Sequence, residues 1–189
     1  MRRGRSYTKR AMAGLRRDER AWIQGAQAGS LGDLEALFRE HWPRAYRAAY
    51  LVVHDGPAAE DIAQEAFLTA IRTLDRFDRT RPFGPWLHRI VVNRAIDWAR
   101  SRSLRAEVGD APLAAVADDD RSGGSFSPPV VAALGALSPD HRAVIVLRHL
   151  LDYTPGEISE LLELPRGTVN SRLRRGLDEL AERLESERP

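Results

Sequence analysis

Periodicity, one interruption of it and one compact motif mark this 189-residue chain as an all-α protein, two small helical domains joined by a flexible linker. Apolar side chains recur at three- and four-residue spacing through residues 18–102 and again through 130–184, the signature of amphipathic helices. Between them, residues 103–128 lose that spacing and are rich in Ala, Gly, Ser and Pro around Asp118-Asp119-Asp120, which is linker composition. The last quarter reads as a short capped helix, a tight turn and a longer basic helix, the order of a helix-turn-helix. Two domains of under about 90 residues each fold alone, with modest cores.

Residues 1–16 are basic and rich in small side chains, a tail. Helical patterning starts near Asp18, with Trp22, Ile23 and Ala26 on one side, and Gly29-Ser30-Leu31-Gly32 breaks it. A second helix runs from about Asp33 through Leu34, Leu37, Phe38 and His41. Pro43 is expected to kink or restart it, because proline lacks the N–H that an interior position donates. Asp55-Gly56-Pro57 is a turn with proline placed to open the next helix, which spans about Pro57–Leu74. Phe77–Pro85 holds two prolines and a glycine and reads as a loop before a helix from about Trp86 to Arg102. After the linker, the second domain opens near Val130. Ser138-Pro139 caps one helix, and Thr154-Pro155-Gly156-Glu157 has the form of a capping box. Leu164-Pro165 restarts the chain into a last helix expected to bury Val169, Leu173, Leu177, Leu180 and Leu184.

Net charge is only +2, so bulk charge names no partner, but its distribution is uneven. Residues 1–20 carry eight basic side chains, and Arg166 to Arg175 contains four arginines and no acid. Such asymmetry points to a polyanion at particular places. Lys9 is the sole lysine; coding bias and selection for the planar guanidinium both account for this. The chain has no cysteine, which excludes disulfides and thiolate metal sites from its own residues. No apolar run reaches membrane-spanning length, and no apolar core follows the basic start, so neither membrane insertion nor secretion is expected and the cytoplasm is the default.

Three patterns carry chemistry. In the last helix, burial of Val169 and Leu173 leaves Thr168, Ser171, Arg172 and Arg175 outward, flanked by Asn170 and Arg174. Arginine reads guanine O6 and N7, asparagine reads adenine, and Ser or Thr bonds phosphate or bases; the bland alternative is a hairpin whose arginines only solubilise it. In the helix 57–74, Asp61, Gln64, Glu65 and Leu68 share a face. Residues alone leave three readings of it: a solvated face, which is the commonest fate of such acids, an acid–base or metal site, or a protein-docking surface. The absence of a histidine in register weakens the second. Finally, Phe77, Arg79, Arg81, Phe83, Trp86, Arg89, Arg94 and Trp98 interleave aromatics with arginines. Cations beside aromatic platforms suit unstacked bases. Core packing is the better reading for Trp86 and Trp98, and base contact for Arg79, Arg81 and Phe83.

The strings AAEDIAQEAFLTAIRTL, RPFGPWLHRIVVNRAIDWAR and LSPDHRAVIVLRHLLDYTPGEISELLELPRGTVNSRLRRGLDEL resemble regions two and four of the bacterial sigma-70 family, and most closely its small extracytoplasmic-function (ECF) branch. The resemblance covers about Asp18–Arg102 and Val130–Leu184. It implies that residues 17–102 form region 2, for polymerase docking and for recognition and melting of the minus-ten element. Residues 103–128 are then the linker and 129–186 region 4, for the minus-35 element. It implies that Asp61, Gln64 and Glu65 dock on the β′ coiled-coil of core RNA polymerase. Asp78–Pro85 matches the segment that melts the minus-ten element and captures a flipped base, with Arg79, Thr80, Arg81, Phe83 and Trp86 as candidates. Asn93 matches a contact to the same element. Asn170, Ser171, Arg174 and Arg175 match positions that read the minus-35 element, alongside Thr168 and Arg172. Thr80, Arg81, Pro82 and Phe83 fill the variable centre of the loop, so the preferred base does not carry over. The implied partners are core RNA polymerase through its β′ and β subunits, promoter DNA and an anti-sigma factor.

The resulting expectation is a sigma factor, not an enzyme, with no cofactor and no metal. No nucleophile–base pair or phosphate loop appears in the sequence, and His54, His88, His141 and His149 stand singly on helices or at helix ends. An autonomous helix-turn-helix regulator is the alternative, but it leaves the acidic helix and aromatic loop without a purpose. A zinc deaminase needs ligands that a cysteine-free chain lacks, and a nuclease needs carboxylates converging from several elements.

Overall fold

The computed structural model describes residues 18–107 and 126–186. The basic tail and the Asp118-Asp119-Asp120 triplet lie outside the described residues. Among the described residues the regular elements are all helical. Helix α1 covers 18–27. It is followed by α2 (Leu31–Val53), α3 (Gly56–Thr73), a 3-10 turn (Leu74–Arg76) and α4 (Phe83–Glu107). The second bundle holds α5 (Pro128–Gly135), α6 (Pro139–His149), α7 (Pro155–Leu162) and α8 (Arg166–Ser186).

The Gly29-Ser30 break is a helix start: Gly29 takes φ +90°, a left-handed conformation, and the Ser30 hydroxyl accepts from the Asp33 N–H at 3.3 Å. Of the two outcomes expected at Pro43, a kink or a restart, the restart does not occur: α2 runs unbroken through it. Proline removes one donor, but the following residues Ala45 and Arg47–Val53 are all buried where α2 packs between α3 and α4. Burial worth about 1.5–3 kcal/mol per large apolar side chain outweighs one lost hydrogen bond. His54 closes α2 at φ 54°, and Asp55 caps α3 through the Ala58 N–H at 3.0 Å.

A second difference falls at the 77–85 segment. The loop is shorter than its proline and glycine content predicts, because Phe83, Gly84 and Pro85 already form the first turn of α4. Proline has no N–H to lose there, and the cost of a helical glycine, about 1 kcal/mol, is offset by burial of Phe83. That ring is 3% exposed, against Phe77 (5.9 Å between centroids), Trp86 (5.5 Å) and His41 (5.1 Å). At its other end α4 continues past Arg102 to Glu107.

In the second bundle, Ser138 caps α6 through the His141 N–H, and both halves of the Thr154–Glu157 capping box form. Glu163 at φ 54° turns the chain from α7 into α8. Val144, Ile145 and Leu147 of α6 are buried with Ile158, Leu161, Val169 and Leu173. Leu177 is 38% exposed rather than buried. The buried stripe of α8 turns through Gly176 instead, where an added Cβ would stand 3.0 Å from the Ile145 side chain. The bundles also touch each other: α5 and α6 lie on α2, and α6 and α7 on α4.

Candidate nucleic-acid interface

On α3, Ile62, Ala66, Phe67 and Ala70 are buried, so the opposite side presents Asp61, Gln64 and Glu65, all exposed, continued by Leu68. Glu65 accepts from Arg94 Nη1 at 2.5 Å, and the other Nη of Arg94 donates to the Thr69 hydroxyl at 3.0 Å. An exposed pair of this kind is worth at most about 1 kcal/mol, so it exchanges readily for a pair with an incoming cation. Gln64 donates to Glu60 at 3.2 Å. The face is acidic with an apolar edge, the chemistry of a docking surface for a basic partner.

The loop from Phe77 to Pro82 is set by Asp78. Its carboxylate accepts from the Thr80 N–H (2.9 Å) and hydroxyl (2.7 Å), and these bonds hold its pKa below the usual range. The Thr80 hydroxyl is therefore committed within the loop. Arg79 and Arg81 are exposed. Trp86 is half-buried and tilted against Phe77 at 4.5 Å, and Asn93 is half-buried about two turns further along the same side of α4. Phe83 departs from its expected place on the loop: it is a core anchor in α4, holding the loop's end instead of reaching out from it.

On α8, Asn170, Arg174 and Arg175 are exposed, while Thr168, Ser171 and Arg172 are half-buried. Ser171 donates to the Thr168 carbonyl at 2.9 Å, and Arg172 pairs with Asp140 at 3.2 Å. The open face is thus rotated from the one read off the sequence, centred on Asn170 and Arg174 with Arg175 beside them. Sequence reasoning also missed the polar groups that meet between the bundles: His54, His88, Asp140, Arg142 and Tyr153. His88 Nδ1 lies 2.8 Å from the Tyr153 hydroxyl, 65 residues away in the chain, and His54 pairs with Arg142 at a separation of 88. No local pattern carries a signal for such pairs.

Two helical bundles, the first with an exposed acidic face and a cation–aromatic loop and the second with a capped helix-turn-helix, define a two-module all-α protein of the DNA-binding class. Comparison with known proteins identifies the family. Residues 37–105 match the family model described as Sigma-70 region 2, and residues 129–180 match Sigma-70, region 4. The chain is 34% identical over 176 residues to the ECF RNA polymerase sigma factor SigW of Bacillus subtilis, covering 86% of this chain and 92% of that one. It is 33% identical over 159 residues to the RNA polymerase sigma factor CarQ of Myxococcus xanthus, covering 82% and 91%. Among solved structures, CnrH in complex with the cytosolic domain of CnrY aligns with a TM-score of 0.67 at 26% identity, over 90% of this chain and 99% of that one. The chain belongs to the sigma-70 family, in its ECF branch.

Proposed function

We propose that this chain is an alternative sigma factor that binds core RNA polymerase and directs promoter recognition, DNA melting and transcription initiation. The single observation that carries this reading is the combination in one chain of both sigma regions, in order, with relatives of matching length that are ECF sigma factors. After a basic tail at 1–16, residues 17–102 act as region 2 and 129–186 as region 4, joined through 103–128, of which 103–107 complete α4 and Pro128 begins α5. Asp61, Gln64 and Glu65 dock on the β′ coiled-coil, and region 4 meets the β subunit. Arg79, Thr80, Arg81, Trp86 and Asn93 line the path of the minus-ten strand, and Phe83 supports that path from beneath. Asn170, Arg174 and Arg175 read the minus-35 element; Thr168, Ser171 and Arg172 position the helix and bond phosphate.

The protein itself is not an enzyme. It supplies binding energy that unstacks and traps bases, a few kcal/mol for each flipped base, and the polymerase makes the bonds. An anti-sigma factor is the expected protein partner besides polymerase; the solved neighbour CnrH is likewise in complex with another protein, the cytosolic domain of CnrY. Among the described residues no helix is long and apolar enough to cross a membrane, and the site of action is the cytoplasm, where polymerase is. Reconstitution with core polymerase and sequencing of RNA 5′ ends tests the reading. Start sites sharing one bipartite upstream motif are the expected result. Sequence-specific binding of duplex DNA as a dimer, with no effect on polymerase, is the result that overturns it.

A further inference from the structure

The run from Arg166 to Arg175 holds four arginines and no acid, yet the fold brings an acid to it from another helix. Asp140 lies in the first turn of α6, and its Oδ2 stands 3.2 Å from Arg172 Nη2 of α8. Backbone N–H groups of that turn favour a carboxylate there. The placement is fixed by its neighbours. The Ser138 hydroxyl accepts from the His141 N–H at 3.3 Å and holds the turn. Helix α6 meets α8 at Gly176, where an added Cβ would stand 3.0 Å from Ile145 Cδ1 and 3.1 Å from His141 Cβ. Further along α8, the Glu179 carboxylate lies 3.3 Å from His141 Nδ1. The other carboxylate oxygen of Asp140 accepts from Arg100 of α4 at 2.6 Å.

We propose that Asp140 is a positioning residue for DNA reading: it holds Arg172 at the flank of α8 as a phosphate contact and keeps that guanidinium off the bases. The inference rests on the reading of α8 as the minus-35 helix, and it names a residue that sets the selectivity of that helix. At about 100° per residue, Arg172 lies roughly 60° round α8 from Arg175, on the edge beside the buried stripe. Its side chain is 23% exposed, whereas Arg174 and Arg175 stand in the open. A guanidinium presents its donors in a rigid fork, so a carboxylate on one edge leaves the other edge aimed in one direction. Phosphate contacts fix register, and base contacts specify sequence. An unheld arginine beside Arg175 is free to take a phosphate or whichever base edge is near, which strengthens wrong sites more than the right one. An acid at this edge costs some affinity for any DNA and raises the ratio between right and wrong sites, which is selectivity by exclusion.

Asp140→Asn keeps the shape and removes the charge. With core polymerase, RNA yield from a cognate promoter is divided by yield from the same promoter substituted in its minus-35 element. This ratio is expected to fall about threefold or more in Asp140→Asn. Without polymerase, binding of the full chain to a random-sequence duplex, followed by fluorescence anisotropy, should tighten. Its log affinity should also fall more steeply with log salt, by about one. In an Arg172→Ala background the same Asp140→Asn change should leave the promoter ratio unmoved, because the acid acts through that guanidinium. Arg100→Ala breaks only the bond to α4 and should keep the natural ratio. Three results overturn the proposal: a natural ratio in Asp140→Asn, a ratio that falls equally with Arg172 removed, or a fall reproduced by Arg100→Ala. A natural chain that directs no promoter-specific RNA overturns the sigma reading instead, and unchanged random-duplex binding by Asp140→Asn overturns this inference on its own.

Discussion

Helix α8 and the loop at 77–82 both carry side chains proposed to contact DNA, yet they arrive at their positions differently. In α8 the buried stripe of Val169, Leu173 and Gly176 leaves a complementary face, and Asn170 and Arg174 occupy it whatever else the molecule does. The loop has no period. What it exposes depends on Phe77 and Phe83, which pin its ends into the core, and on the Asp78–Thr80 turn. A reading face on a helix is set by local repetition, whereas one on a loop is set by the tertiary contacts of its anchors.

The largest expected effect tests the anchor. Phe83→Ala should lower stability by about 3–5 kcal/mol in urea unfolding, as for a buried phenyl ring. A change under 1 kcal/mol with selective loss of minus-ten binding would return Phe83 to the loop as a base contact. Next comes the docking face. Asp61→Lys with Glu65→Lys sets like charge against a basic partner, which costs several kcal/mol at an interface. The double variant should lose co-purification with core polymerase while its helical content stays put.

Smaller effects separate the reading residues on α8. Arg174→Ala or Arg175→Ala should cost about 1–3 kcal/mol and relax preference at one upstream base if the guanidinium is bidentate to a guanine. Arg172→Ala, taken from Asp140, should weaken all promoter sequences alike. Transcription from a panel of base-substituted promoters distinguishes the two behaviours. Thr154→Ala removes half of the capping box and should destabilise region 4 by about 1 kcal/mol in thermal unfolding, with base preference unaltered.

The smallest effect concerns the bundle contact, and its sign follows from the histidines. His54, facing Arg142 and Arg47, and His88, facing Tyr153, His41 and Arg44, both lie below their ordinary value of 6.5. A lowered pKa favours the packed form fully above 6.5, and the contribution is lost as pH falls from there toward 4. The radius of gyration should therefore rise between pH 7 and pH 5 with little change in circular dichroism. An unchanged radius over that range would remove the histidines from the contact.

Much of this was legible from residues alone, for physical reasons. Caps announce themselves locally, so Ser138 and Thr154–Glu157 were placed correctly before any fold was known. Periodicity exposed Asp61, Gln64 and Glu65 together. The restart expected at Pro43 and the loop expected over Phe83-Gly84-Pro85 did not form, because propensity is a weak local preference that burial overrides. Leu177 misled because the sequence shows apolarity and not the place where α6 approaches closely enough to require Gly176. The histidine and Asp140 contacts were invisible, since each joins segments far apart in the chain.

Glu163 shows what such distant contacts ask of a local position. It turns α7 into α8 with φ at 54°, a conformation that glycine adopts without strain and a glutamate adopts at some cost. Its carboxylate, however, meets Arg89 on the other bundle. One residue therefore serves two masters, a turn that prefers no side chain and a contact that needs one. Replacing it with glycine should make the helix-turn-helix more robust in thermal unfolding and remove its ion pair to Arg89 on the other bundle. A sequence optimised for the fold of its parts would differ here from one optimised for holding its two bundles together.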